Sequence, residues 1–442
     1  MEDNFLSALA DIIHENNHIK PELYEELDVK RGLRHKNGTG VLVGLTKVGS
    51  VHGYQIANGE KIPEKGRLYY RDYELKDLAA ILNAENKFSF EKTMFLLLFG
   101  KFPTSTELNL FLSLLREKQT LPEEFTENFL LRKPSQDLMN QLQRAVLCLY
   151  VIDENPDDIS LTNLISQSLN IIAKFPSLLT YSYHAVRHKH FNESLVIHPP
   201  KKDNSIAENI LYMLRHNHKY TKTESSTLDL LLVIHAEHGG GNNSTFTSHV
   251  VSSTGTDTYS AISASIGSLK GPKHGGANTM VSRMMDHIKN NCNYNDKKAL
   301  KDYLKKILEK DAFDKTGLIY GMGHAIYTLS DPRADLLKEK ARELSIEKGK
   351  LEEFEFYENV EKISTELFKD KKGADFEICA NVDFYSGFVY RLLNIPESIY
   401  TPLFAASRIA SWNAHRIEQI IFENKIIRPA YMAIDSQGNL LK

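Results

Sequence analysis

The stretch Gly321-Met322-Gly323-His324-Ala325-Ile326-Tyr327-Thr328-Leu329-Ser330-Asp331-Pro332-Arg333 sets a histidine in a glycine-flanked loop and an arginine just after an Asp-Pro stop. Glycines give up side chains where backbone N–H groups must approach a ligand closely. An arginine supplies a planar fork that matches a carboxylate. Two further segments repeat this character, Gly271-Pro272-Lys273-His274-Gly275-Gly276-Ala277-Asn278 and Asn381-Val382-Asp383-Phe384-Tyr385-Ser386-Gly387. Two loop histidines and a loop aspartate beside an arginine read as acid–base chemistry on a small carboxylate substrate.

Outward from these loops, most of the chain reads as helix. Thr104-Ser105-Thr106-Glu107 and Ser205-Ile206-Ala207-Glu208 fit the capping-box pattern ahead of apolar periodicity. Pro103, Pro122 and Pro134 fall where helices should start or stop. The Lys- and Glu-rich stretch from Lys338 to Lys362 reads as one or two solvated helices. Strand signals cluster early, at Val41 to Val51 and Arg67 to Tyr70. The expected fold class is therefore mainly α with a small β element near the N-terminus. At 442 residues, two domains are the default expectation.

Bulk properties narrow the function. A net charge of −3 implies no strongly basic surface and argues against nucleic acid as a main partner. Cys148, Cys292 and Cys379 are few, odd in number and far apart, which suggests reduced thiols, not a disulfide framework or a zinc site. The acidic start Met1-Glu2-Asp3-Asn4 is unlike a signal or transit peptide. The apolar runs Met94 to Phe99 and Leu230 to Ile234 are too short to span a bilayer, so a cytoplasmic protein without membrane contact is expected.

Two helical faces carry polar groups that need explaining. Leu228, Leu231, Leu232, His235 and His238 fall on one stripe at helical spacing, before Gly239-Gly240-Gly241 and Asn242-Asn243-Ser244. The two histidines could be core residues satisfied by carbonyls, the floor of a substrate cleft, or metal ligands. Their spacing lacks the His-Glu pair and the i, i+4 register of the zinc protease motif. Phe404, Arg408, Trp412 and His415 share a face of a second predicted helix, Thr401 to Glu418. A guanidinium in an aromatic stripe requires an anion, either an internal carboxylate or a bound one. Small residues in Tyr259 to Leu269 predict close packing against a neighbouring helix.

Taken together, these segments resemble the citrate synthase family. His235-x-x-His238-x-x-x-Asn242-x-Ser244, then Gly-Pro-x-His274-Gly-Gly-Ala-Asn, Gly-x-Gly-His324 to Asp-Pro-Arg333 and Asn-Val-Asp383 follow that family's order and spacing. Arg408 and Arg428 match its last two substrate arginines, and Leu68-Tyr69-Tyr70-Arg71 resembles its early strand and turn. The similarity runs from about Gly38 to Tyr431.

The resemblance implies a homodimer of two-domain helical subunits, with a small domain over 276–394 and a large domain over 1–275 and 395–442. It implies condensation of oxaloacetate with acetyl-CoA to citrate, acetyl-CoA being a cosubstrate, with no metal and no organic prosthetic group. His274, His324 and Asp383 would be catalytic. His238, Asn242, Arg333, Arg408 and, across the subunit interface, Arg428 would hold oxaloacetate. Leu318, Gly321, Gly323 and Asn381 would meet CoA. Met322, Ala325 and Thr328 depart from the family's pattern at this loop, and Asp72 departs from it after the Tyr-Arg pair. The second and third changes remove basic residues that can meet CoA phosphate, leaving Lys369, Lys371 or Lys372 to do so. A 2-methylcitrate synthase using propionyl-CoA needs the same residues, because the acyl groups differ by one methylene. A citrate-cleaving lyase would bring nucleotide-binding or acyl-carrier parts, and no phosphate-loop pattern is present. A non-catalytic oxaloacetate- or CoA-binding protein would be expected to lack His274 or Asp383.

Overall fold

The computed structural model describes residues 2–58, 60–85, 87–423 and 425–441. They form two compact units: Leu45–Lys425, and Met1–Gly44 with Ile426–Lys442. In the smaller unit lie helices α1 (Glu2–Asn16) and α2 (Pro21–Glu26), with isolated bridges at Arg34–Gly40 and Ile434–Leu440.

The larger unit begins with an antiparallel sheet in the order β1 (Gly49–Ala57), β2 (Glu60–Tyr70) and β3 (Tyr73–Glu74). The expected early strand is therefore displaced: it begins at Gly49, and residues 41–48 stay outside the ladder. Their backbone is engaged otherwise, Lys47 N–H donating to Glu418 and Val48 N–H to the Thr46 hydroxyl. β2 starts seven residues before the expected Arg67, because this hairpin is largely exposed and carries little apolar alternation to read. It supports the loop from Gly321 to Arg333, where Gly66 N–H donates to the Ser330 hydroxyl at 3.2 Å.

Helices then follow in order: α3 (Leu75–Glu85), α4 (Ser89–Phe99), α5 (Ser105–Lys118), α6 (Leu138–Tyr150), α7 (Leu161–Phe191), α8 (Ile206–Leu214) and α9 (Lys222–His235). Next come α10 (Asn243–Ser252), α11 (Thr258–Lys270), α12 (Pro272–Gly275) and α13 (Ala277–Asn291). The remainder are α14 (Lys297–Leu308), α15 (Pro332–Glu347), α16 (Leu351–Lys372), α17 (Val382–Leu392) and α18 (Tyr400–Phe422). Both expected capping boxes form, at Thr104/Glu107 and Ser205/Glu208, and a third forms at Thr221/Glu224. Each satisfies backbone donors that the helix cannot, worth about 1 kcal/mol per cap. The Lys- and Glu-rich stretch is two helices, α15 and α16, broken at Gly349.

α18 runs through the core against α4, α7, α9, α10 and α11, and Trp412, Arg408 and Arg416 on it are fully buried. α11 packs on α6 and α10 as its small residues require: a Cβ on Gly267 would lie 2.7 Å from the Gln143 amide. α13 to α17 pack on one another, and α15 also lies against α9. The N-terminal end of α15 carries Arg333 and the C-terminal end of α9 carries His235. Among the described residues, no helix is long and apolar enough to cross a membrane.

Candidate active site

α9 closes at His235, where Ala236 N–H folds back onto the Val233 carbonyl. His238 lies beyond the helix, so the two histidines do not share a helical stripe as the spacing had predicted. His235 packs on Phe404 with ring centroids 4.7 Å apart, whereas His238 meets His324 at 5.1 Å and Tyr327 at 5.7 Å. Both rings are buried and both Nε2 atoms lack a partner among the described residues. Burial, reinforced by Arg333 and Arg408, lowers both pKa values well below the ordinary histidine range, so both rings are neutral at physiological pH. Among the described residues, no cluster of three or more His, Cys, Asp or Glu could hold a metal ion.

Arg408 and Arg333 are satisfied differently. Arg408 Nε donates to the His235 carbonyl at 2.8 Å, while Nη1 and Nη2 are buried without a partner among the described residues. Its guanidinium lies 4.9 Å from the centre of the Phe404 ring. Burial lowers its pKa to about 10, which still leaves it charged at neutral pH. The internal carboxylate that an aromatic stripe would otherwise require makes no hydrogen bond to it, which leaves its outer N–H groups for a bound anion. Arg333 is instead paired with Asp331, through Nε at 3.0 Å and Nη2 at 2.7 Å. Burial opposes its charge, but the Asp331 carboxylate more than compensates and raises its pKa.

His324 is held by its own loop. Ile326 and Tyr327 N–H donate to its Nδ1 at 3.1 and 3.2 Å, which puts the ring proton on Nε2. Tyr327 stacks on it with centroids 4.8 Å apart. Burial and then Arg333 lower its pKa to about 4, so it is a neutral N–H donor. His274, on the four-residue helix α12, faces the Ser244 hydroxyl through Nε2 at 3.2 Å. Ser244 also accepts from Trp412 Nε1 at 3.2 Å and donates to Asn242 Oδ1 at 2.9 Å. The hydroxyl thus gives its one proton to Asn242. Burial and then Arg408 lower the His274 pKa to about 4.

Asp383 stands in the first turn of α17, which Asn381 caps by accepting the Asp383 N–H at 3.0 Å. The Asn381 amide also donates to Gly323 O at 2.8 Å, and backbone bonds join Asn381 to Gly321 and Gly323 to Cys379. This zipper locks the His324 loop to the Asp383 helix. It passes through Gly321 at φ +82°, where a Cβ would come within 2.9 Å of Phe384 and Val281. Burial raises the Asp383 pKa to about 6, against the opposing pull of Arg333. Leu318 is exposed on the same loop. Arg428 belongs to the other compact unit, where its side chain is exposed. A cavity of about 600 Å³ lined by Lys87, Asp229 and Lys340 lies elsewhere and includes none of these groups.

Sequence reasoning passed over Asp331, Tyr327 and Ser244 as working parts. Asp331 sat in view beside Pro332 but was legible only as a helix stop; its bidentate grip on Arg333 is a three-dimensional fact.

A site so equipped suits proton transfer beside an anion, the chemistry of an acid–base enzyme on a mainly α scaffold. Comparison with known proteins makes this specific. Residues 37–430 match the family model for the citrate synthase C-terminal domain. A citrate synthase of Haloferax volcanii is 32% identical over 406 residues, 91% of this chain and 94% of that protein. A 2-methylcitrate synthase of Shewanella oneidensis is also 32% identical, over 82% of this chain and 87% of its own length. The ternary complex of carboxymethyl coenzyme A and oxaloacetate with citrate synthase from Thermoplasma acidophilum superposes with a TM-score of 0.74 at 26% identity, over 91% of this chain and 95% of that one. The chain belongs to the citrate synthase family, and so to the acyltransferases.

Proposed function

We propose that this protein condenses the acetyl group of acetyl-CoA with oxaloacetate and hydrolyses the resulting thioester to citrate and CoA. The observation that carries this reading is the buried, unpartnered outer face of Arg408, set in a site with neutral imidazoles and a carboxyl poised near pH 6. Asp383 removes a proton from the acetyl methyl, and its raised pKa makes it a stronger base than an exposed aspartate. His274, neutral, donates to the thioester oxygen as the enol forms. His324 donates from Nε2 to the ketone and then protonates the alkoxide of the new bond. Arg333, Arg408, His238 and Asn242 hold the substrate carboxylates and align the ketone. Leu318, Gly321, Gly323 and Asn381 form the edge that CoA meets.

The working form in this reading is a cytoplasmic homodimer in which Arg428 of each subunit completes its partner's site. Residues 276–394 act as a small domain that closes over oxaloacetate and excludes water until the carbon–carbon bond is made. The 2-methylcitrate synthase among the relatives keeps propionyl-CoA in view as acyl donor. Free-thiol release with oxaloacetate, measured in parallel with acetyl-CoA and propionyl-CoA, tests the reading. A preference for acetyl-CoA of about tenfold or more supports it, about 1.4 kcal/mol in the barrier. An equal or faster propionyl-CoA rate moves the assignment to 2-methylcitrate, and no release with either refutes condensation.

A further inference from the structure

The hairpin of β1 and β2 touches both segments that carry His238 and His324. At one end, the Tyr70 hydroxyl donates to the Val233 carbonyl at 2.8 Å and accepts the Glu237 N–H at 3.2 Å. A Cβ on Gly49 would lie 2.5 Å from Glu237 Cγ, and one on Gly239 would lie 3.2 Å from the Val51 side chain. The turn that carries His238 is therefore seated on the hairpin. Further along, the ladder is irregular: His52 pairs with Arg67 but Tyr54 pairs with Pro63, and Gly53 and Gly66 fall in the break. Here the hairpin meets the His324 loop. A Cβ on Gly53 would lie 2.6 Å from the Ile326 carbonyl oxygen. One on Gly66 would overlap the Ser330 carbonyl oxygen and lie 2.7 Å from the Tyr327 ring. Neither glycine has a left-handed backbone, so space and not conformation keeps a side chain out.

The segment seated in this notch is the one that orients His324. Ile326 and Tyr327 supply the two N–H groups that bond Nδ1, and the Tyr327 ring stacks on the imidazole. The Tyr327 hydroxyl is buried without a partner among the described residues, so packing, not a hydrogen bond, locates that ring. Gly66 N–H, bonded to the Ser330 hydroxyl, pins the far end of the segment just before Asp331 and Arg333. His324 in turn stands 5.1 Å from His238, which the other end of the hairpin seats. One ribbon thus sets the spacing of two histidines that lie far apart in the chain.

We infer that Gly53 and Gly66 are positioning residues for His324: the notch they form holds segment 326–330 at one depth, and this aims His324 Nε2–H at the ketone oxygen. The inference rests on the reading of the site as an oxaloacetate site. Because Tyr70 pins the hairpin, a methyl group in the notch displaces the loop and its imidazole, while Arg408 and His238 stay in place. Gly66→Ala should therefore lower kcat about a hundredfold, with oxaloacetate affinity kept within about fivefold. Gly53→Ala should act in the same direction but more weakly, because it meets Ile326 alone.

The test pairs steady-state thiol release with infrared difference spectra of oxaloacetate bound to the full-length protein. A hydrogen bond from His324 weakens the ketone C=O bond, so the wild-type band should lie below that of free oxaloacetate. In Gly66→Ala the band should return toward the free frequency as kcat falls, while calorimetry finds oxaloacetate still bound. A kcat within about threefold of wild type, or a loss of kcat with the band at its wild-type frequency, overturns the inference. Loss of oxaloacetate binding also overturns it, because general damage to the site gives that pattern. If Gly66→Ala does not fold, Ser330→Ala removes the hydroxyl acceptor without adding bulk. That variant should shift the band in the same direction and lower kcat by about threefold or more, and an unchanged band overturns the inference. A wild type that releases no thiol is a distinguishable result, which refutes the reading of the site and the inference with it.

Discussion

Arg333 and Arg408 are buried to nearly the same degree, 4% and 0% exposed, yet they are satisfied in opposite ways. Arg333, where the loop enters α15, stands among groups that are already matched: Asp331 holds its guanidinium, Asn381 holds Gly323, and two backbone N–H groups hold His324. Arg408 lies on a floor of long core helices where several are not. Its Nη1 and Nη2, together with the Nε2 atoms of His235 and His238, have no partner among the described residues. A buried polar group without a partner costs free energy. A floor of this kind suits binding, since it holds buried polar groups that no described residue satisfies. The loops are built for placement, holding His324 and Asp383 before any substrate arrives. Affinity and chemistry should therefore separate by mutation.

The largest effect belongs to the loops. Asp383→Asn should lower turnover by about a thousandfold or more in thiol-release assays. It should also stabilise the fold. A carboxyl whose pKa rises from 3.8 to about 6 on folding binds its proton more tightly in the folded state. Its ionisation therefore costs stability above about pH 6, and that cost vanishes as pH falls below 3.8. At pH 8 the variant should gain up to about 3 kcal/mol in denaturant unfolding, from some two pKa units at 1.36 kcal/mol each.

The arginines give the next contrast. Arg333→Leu strands the buried Asp331 carboxylate and should cost about 3–5 kcal/mol of stability. Arg408→Leu strands no carboxylate hydrogen bond, so its unfolding midpoint should hold while oxaloacetate affinity falls about a hundredfold, roughly 2.7 kcal/mol. Equal destabilisation of the two variants would erase the distinction between floor and loop.

A gentler effect sharpens the assignment of the base. The kcat/KM profile of the wild type should rise with pH through about 6, where Asp383 ionises, and then level off. His274 and His324, at about 4, should add no loss above pH 5. A profile flat down to pH 5 would contradict Asp383 as the base.

Much of this site is legible in the sequence because its parts travel in short glycine-marked segments. His274, His324 and Asp383 each stand in such a segment, and local chemistry announces them. The helices were readable for a similar reason, since capping boxes such as Thr104/Glu107 are purely local. What the sequence hides is the partner of each group. Nothing in the spacing of Arg408 tells that no carboxylate bonds it, and nothing in Glu237 tells that it answers His415, 178 residues away. The early strand was misplaced because residues 46–48 bond to side chains, one of them on α18, a preference their own composition does not carry.

The division between floor and loop is tested most directly by titrating oxaloacetate into Asp383→Asn in a calorimeter, with thiol release followed on the same protein. The expected result is wild-type affinity, within about threefold, with thiol release all but abolished. Loss of oxaloacetate binding, or thiol release at the wild-type rate, would contradict it.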